Sequence, residues 1–142
     1  MRELTVQALT ENLPRVTAFV DEQLEALDCP MKAQMQIDVA IDELFSNIAY
    51  YAYPDGAGEA TVGFDFDPST GFAAITFTDH GAPFDPLRSA DPDTTLGPEE
   101  RAVGGLGIFL VKKTMDEVSY RYAAGANRLR ILKRIAPGSG AE

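Results

Sequence analysis

Apolar and polar residues alternate over Leu4, Val6 and Ala8, the period-two pattern of a strand with one buried face. The run ends before Thr10, a residue type suited to cap the element that follows. Leu13, Val16, Phe19, Val20 and Leu24 then recur at helical spacing, which predicts a helix over residues 11–27. Pro14 falls in its first turn, where a missing N–H is tolerated. Cys29 and Pro30 interrupt the pattern. A second helix is predicted over residues 31–50, because Ile37, Ile41, Leu44, Phe45 and Ile48 fall within an arc of about 100° at 3.6 residues per turn. That stripe is expected to pack on a sheet. Glu43 and Asn47 lie about 40° apart on the same wheel, off the stripe and flanked by Val39 and Ala40.

The second half of the chain reads mainly as strands. Residues 54–58 are a turn cluster of Pro, Asp and Gly. Val62, Phe64 and Phe66 share one parity beyond it, and residues 67–71 turn the chain again. Ala73, Ile75 and Phe77 share one parity with Asp79, so a carboxylate ends the apolar face of that strand, where it is costly without a partner. Residues 80–103 are rich in Gly, Pro, Asp and Ser, and so long an irregular connection is expected to be a functional loop or lid. Gly104, Gly105, Leu106 and Gly107 open a helix that runs to Met115. Two closing strands follow, one with Val118, Tyr120 and Tyr122 and one with Leu129 and Ile131, joined by a hairpin turn placed at Gly125, Ala126 and Asn127. A single domain over residues 1–136 and a short polar tail over 137–142 complete the expectation.

Composition narrows the chemistry. A net charge of −10 repels phosphate backbones at long range and argues against a general nucleic-acid binder. The basic residues Arg128, Arg130, Lys133 and Arg134 read as a solvated strand face. The single cysteine, Cys29, allows no internal disulfide and no cysteine cluster for zinc or iron–sulfur. No apolar leader and no membrane-length apolar run stand in the sequence, so a cytoplasmic protein with no membrane association is expected.

Three separated clusters carry candidate chemistry: Glu43 and Asn47 on a helix, residues 79–84 (DHGAPF) after a strand, and residues 104–107 (GGLG) before a helix. Each has an ordinary structural reading of its own. A carboxylate on a helix is either a base or a solvated side chain. An Asn there is either a hard oxygen ligand suited to Mg²⁺ or a core hydrogen-bonding group. Glycine amides opening a helix can hold phosphate oxygens against the positive end of its dipole. No GK[ST] follows the glycines, so the device is not a P-loop.

In their order, these clusters resemble the N, G1 and G2 boxes of the Bergerat-fold (GHKL) ATPases, over residues 10–133. Residues 79–86 (DHGAPFDP) and 104–113 (GGLGIFLVKK) narrow the resemblance to the RsbW-like serine/threonine kinases that act as anti-sigma factors in bacterial partner switching. The resemblance implies an α/β two-layer fold, a mixed, mostly antiparallel sheet with helices on one face. It implies ATP and Mg²⁺ as cofactors, with Asn47 as the protein's metal ligand and Glu43 as general base. It also implies adenine recognition by Asp79, with Gly81, Phe84, Gly105, Leu106, Gly107 and Ile108 around the nucleotide, and Arg15 near the γ-phosphate and incoming substrate. The implied partners are a STAS-type anti-sigma factor antagonist, a sigma factor and a second copy of the chain, for which the first strand offers an edge. A binding module that holds a sigma factor without catalysis is the other function the same residues permit. Two positions depart from the family pattern: Tyr51 stands where many relatives have histidine, and His80 follows the adenine aspartate.

Overall fold

The computed structural model describes residues 1–54, 56–88 and 105–138. The expected lid lies, from residue 89 to 103, outside the described residues. The elements run β1 (Arg2–Gln7), α1 (Leu13–Ala26), α2 (Met31–Tyr51), β2 (Glu59–Asp67), β3 (Phe72–Asp79), α3 (Gly105–Thr114), β4 (Glu117–Ala123) and β5 (Ala126–Arg134). One five-stranded sheet has the order β1-β2-β3-β5-β4, and all four described pairings are antiparallel.

Strand alternation sends one set of side chains into a single core. Val62, Phe64, Ile75, Phe77, Leu129 and Ile131 meet the apolar stripes of the helices, among them Val16, Val20, Ile37, Ile41, Phe45 and Val111. On the opposite parity Thr61, Thr78, Arg128 and Arg130 are exposed or half-buried. The three helices therefore cover one face of the sheet. Burial of this many branched and aromatic side chains, each contributing about 1.5–3 kcal/mol, is what orders the two layers. Lys133 leaves the solvated face assigned to it, because its Nζ donates to the Thr114 carbonyl at 2.6 Å and so caps the end of α3.

Two local expectations change. Thr10 does not cap α1. It opens a short 3₁₀ turn over Thr10–Asn12, and Asn12 is the residue before the helix. The Asn12 side chain donates to the Gln7 carbonyl at 2.9 Å, tying the helix entry to the end of β1. The final hairpin turns at Ala124 and Gly125, with φ of 55° and 77°, the left-handed pair that a two-residue hairpin requires. Ala126 and Asn127 consequently belong to β5 and not to the turn.

Helices α1 and α2 pack as an antiparallel pair. Gln34 donates to Glu25 at 3.1 Å, and the Asp21 and Asp38 carboxyls meet one turn further on. The residue numbers in each pair add to 59, so along the helix pair Arg15 stands about level with Leu44.

Candidate functional site

The end of β3 places Asp79 directly across from Asn127 of β5. Both are polar and almost wholly buried, at 5% and 6% exposure, so each must find partners inside the protein. Asn127 Nδ2 donates to Asp79 Oδ1 at 2.9 Å and to the Ala82 carbonyl at 2.9 Å. Its Oδ1 accepts from the Phe84 amide at 3.1 Å and from the Tyr120 hydroxyl. Asp79 Oδ1 also accepts from the Gly81 amide at 2.9 Å. The described hydrogen bonds to Asp79 all reach Oδ1. Charge-assisted bonds of this kind contribute about 1.5–3 kcal/mol each and keep the carboxylate satisfied in an apolar setting.

The chain after Asp79 is pressed onto the end of α2. A Cβ on Gly81 would stand 2.0 Å from the Ala52 carbonyl oxygen, and the Ala82 amide donates to that same oxygen at 3.1 Å. The glycine therefore allows a backbone approach, and what approaches it is the C-terminus of α2. Tyr53 locks the junction from the other side: its hydroxyl donates to the Glu59 carbonyl at 2.6 Å and accepts from the His80 amide at 2.8 Å. His80 itself is exposed at the start of the loop.

Asp79, Asn127 and Asn47 line one cleft together with Ile48, Ala52 and Phe84. Its walls are apolar and its few polar groups converge, the character of a site for a flat, mainly apolar ligand with a hydrogen-bonding edge. Phe84 is 46% exposed at the mouth, its ring centroid 5.8 Å from that of Tyr51. Tyr51 and Phe84 thus form an aromatic pair beside the cleft.

Glu43 lies one helical turn before Asn47, against the first turn of α3. A Cβ on Gly107 would meet both Glu43 carboxylate oxygens, at 2.2 and 2.6 Å. Glu43 Oε1 is buried with no hydrogen-bond partner among the described residues. Burial raises the Glu43 pKa, the Asp42 carboxylate raises it further, and a hydrogen bond with the Asn47 side chain opposes both. A carboxylate with a raised pKa and an unoccupied oxygen is suited to accept a proton.

Gly105, Leu106 and Gly107 form the opening turn of α3, where amides without intrahelical partners and the helix dipole favour an anion. Gly104 lies outside the described residues. Ile108 is 4% exposed and packs in the core, which leaves only its backbone to face the site. Arg15 is exposed on the first turn of α1 and makes no hydrogen bond or ion pair among the described residues. Sequence reasoning missed Asn127, Tyr53 and Tyr120. Asn127 shares parity with Leu129 and Ile131 on β5, so a buried polar group was readable there once the turn was placed one residue earlier.

A family model described as a histidine kinase-like ATPase domain matches residues 6–133. The chain is similar to the serine/threonine-protein kinase BtrW of Bordetella bronchiseptica, 24% identical over 108 residues that cover 76% of this chain and 75% of the relative. It is similar to the serine-protein kinase RsbW of Halalkalibacterium halodurans, 28% identical over 130 residues that cover 87% and 76%. Its fold matches the structure of the RsbU and RsbW domains of Rv1364c from Mycobacterium tuberculosis with a TM-score of 0.62 and 16% identity, covering 97% of this chain and 34% of that one. With the match running from β1 into β5 over a cleft of this construction, the chain belongs to the histidine kinase-like ATPase domain family.

Proposed function

We propose that residues 1–136 act as one Mg-ATP-dependent protein serine/threonine kinase unit of the anti-sigma factor type. Its substrate is a STAS-type antagonist, and it also binds a sigma factor as a cytoplasmic homodimer. The observation that carries this reading is Glu43, one turn before Asn47, whose carboxylate lies against the opening turn of α3 with a buried, unpartnered Oε1. A module that only held a partner would have no use for a half-buried carboxylate with an unpartnered oxygen there.

The residues fit the nucleotide. Asp79 at the base of an apolar cleft supplies an acceptor for an amino-substituted ring, and the Phe84–Tyr51 rim offers ring faces. No cluster of three or more His, Cys, Asp or Glu able to hold a metal stands among the described residues, so Asn47 would bind an ion that draws its other ligands from phosphate and water. Bound Mg²⁺ would neutralise phosphate charge. With the nucleotide bound, Glu43 would accept the proton of the acceptor hydroxyl as that oxygen bonds to the γ-phosphorus and ADP departs. Gly105 to Gly107 would hold phosphate oxygens by their amides, and Arg15, exposed on the first turn of α1, would meet the incoming acceptor. Among the described residues no helix is long and apolar enough to cross a membrane.

The test compares nucleotide affinity with single-turnover transfer of labelled phosphate to the purified antagonist. Glu43→Ala is expected to keep most ATP affinity while transfer falls by about 10²–10⁴-fold. Asn47→Ala is expected to impair both. Wild-type transfer by Glu43→Ala removes Glu43 as the base, and binding of the antagonist without transfer by the wild-type chain leaves an adaptor.

A further inference from the structure

Helix α2 carries a row of uncovered apolar side chains: Met31 is 77% exposed, Met35 62% and Val39 53%. They succeed one another at one-turn intervals, and the next step of four residues is Glu43. At 1.5 Å per residue, Val39, Met35 and Met31 lie about 6, 12 and 18 Å from Glu43 along the helix axis. None of the three lines the nucleotide cleft. Carboxyls flank the row on its α1 side, with Asp42 on α2, and Asp38, Asp21 and Glu25 along the seam with α1, while the exposed Lys32 stands beside Met35 on the other side. Isolated exposed apolar residues are ordinary, but a continuous row that leads to the half-buried Glu43 is a feature of a contact surface.

We propose that Met31, Met35 and Val39 form the docking surface for the phosphoacceptor protein, whose matching face is an apolar patch flanked on one side by lysine or arginine and lying beside the acceptor hydroxyl. This rests on the kinase reading above. A folded substrate that brings a hydroxyl to hydrogen-bonding distance of Glu43 covers the surface around it, since a standard protein interface takes about 800 Å² from each partner. Val39 and Met35 lie within that footprint on the same helix. Covering them removes apolar area from water, and the flexible thioethers adapt to the partner's relief. The Asp42 and Glu25 carboxylates on the α1 side attract basic groups of the partner there, which orients it.

The test uses the full chain, ATP and a purified STAS-domain antagonist. Val39→Glu and Met35→Glu alter exposed side chains and are expected to keep the wild-type melting temperature and ATP affinity. The KM for the antagonist is expected to rise about tenfold or more while kcat changes little. Independently, ¹³C-methyl labelling of the four methionines gives a direct map. Antagonist binding is expected to shift Met31 and Met35, and to leave Met115 in the core and Met1 on the far face of the sheet unmoved. Transfer with wild-type KM by both variants, with Met31 and Met35 unshifted, overturns the docking proposal and leaves the kinase reading intact. Neither binding nor transfer by the wild-type chain overturns both. Shifts that grow with the chain's own concentration, without antagonist, assign the row to a second copy and overturn it as well.

Discussion

The carboxylate of Glu43 on α2 lies against the Cα of Gly107 on α3, so closely that a Cβ there would stand 2.2 Å from its terminal carbon. The absence of a side chain on α3 therefore sets where the carboxylate can rest. Gly107→Ala is expected to push the flexible end of Glu43 aside without breaking the backbone. Helix propensity favours alanine by about 1 kcal/mol, so the variant is expected to be at least as stable as wild type. Phosphate transfer is expected to fall about 10²-fold through misplacement of the base. Thermal melting beside single-turnover transfer checks it, and a stable variant with undiminished transfer shows that Glu43 does not act from this position.

Asn127 ties Asp79, Ala82 and Phe84 together. Asn127→Leu keeps a similar volume and leaves those buried groups unpaired, at a cost of about 1–3 kcal/mol. The midpoint of urea unfolding is expected to drop, and ATP affinity with it, because the loop after β3 loses its anchor. Unchanged unfolding would show that water or other groups replace the side chain.

Asp79→Asn removes a charged acceptor while keeping the shape. If Asp79 binds the nucleotide amino group, affinity is expected to weaken by roughly one to two orders of magnitude. Calorimetry on the folded variant decides it, and wild-type affinity takes Asp79 out of the ring-binding role.

Asp38 faces Asp21 across the α1–α2 seam, with Glu25 and Cys29 close by. Oδ1 of each aspartate is buried without a donor among the described residues, and two ionised carboxylates cannot bond to each other, so the pairing favours a proton on Asp38. Burial first, and then Asp21 and Glu25, raise the Asp38 pKa from 3.8 to about 7. The folded state therefore binds this proton more tightly than the unfolded state. The stabilisation is complete below the ordinary value of 3.8, and is lost as pH rises to about 7. Asp38→Asn donates to Asp21 without a titrating proton, so its melting temperature is expected to exceed that of wild type above neutral pH, with the gap closing toward about pH 5. Parallel melting curves across that range would sink the shared-proton assignment.

Much of this architecture was legible in local pattern. Period two marked β1 to β3, and period 3.6 marked both long helices, because each element buries one face and the side chains must repeat with the backbone. The burial of Asp79 followed from parity alone. Thr10 and the last hairpin were misplaced by two residues and one, since an end is decided by a few hydrogen bonds, such as that from Asn12 to Gln7, and not by periodicity.

By itself, the sequence determined which residues alternate, where glycines and prolines break the pattern, and the order of the three motif clusters that place the chain in its family. Contacts between distant segments were decided only when the sheet closed. The order β1-β2-β3-β5-β4 sets Asn127 beside Asp79, 48 residues away. Packing of the helices on one face brings Gly107 against Glu43 and Gly81 against the Ala52 carbonyl. These pairings depend on the relative placement of whole elements, set by burial of the common core, and no window of neighbouring residues contains that information.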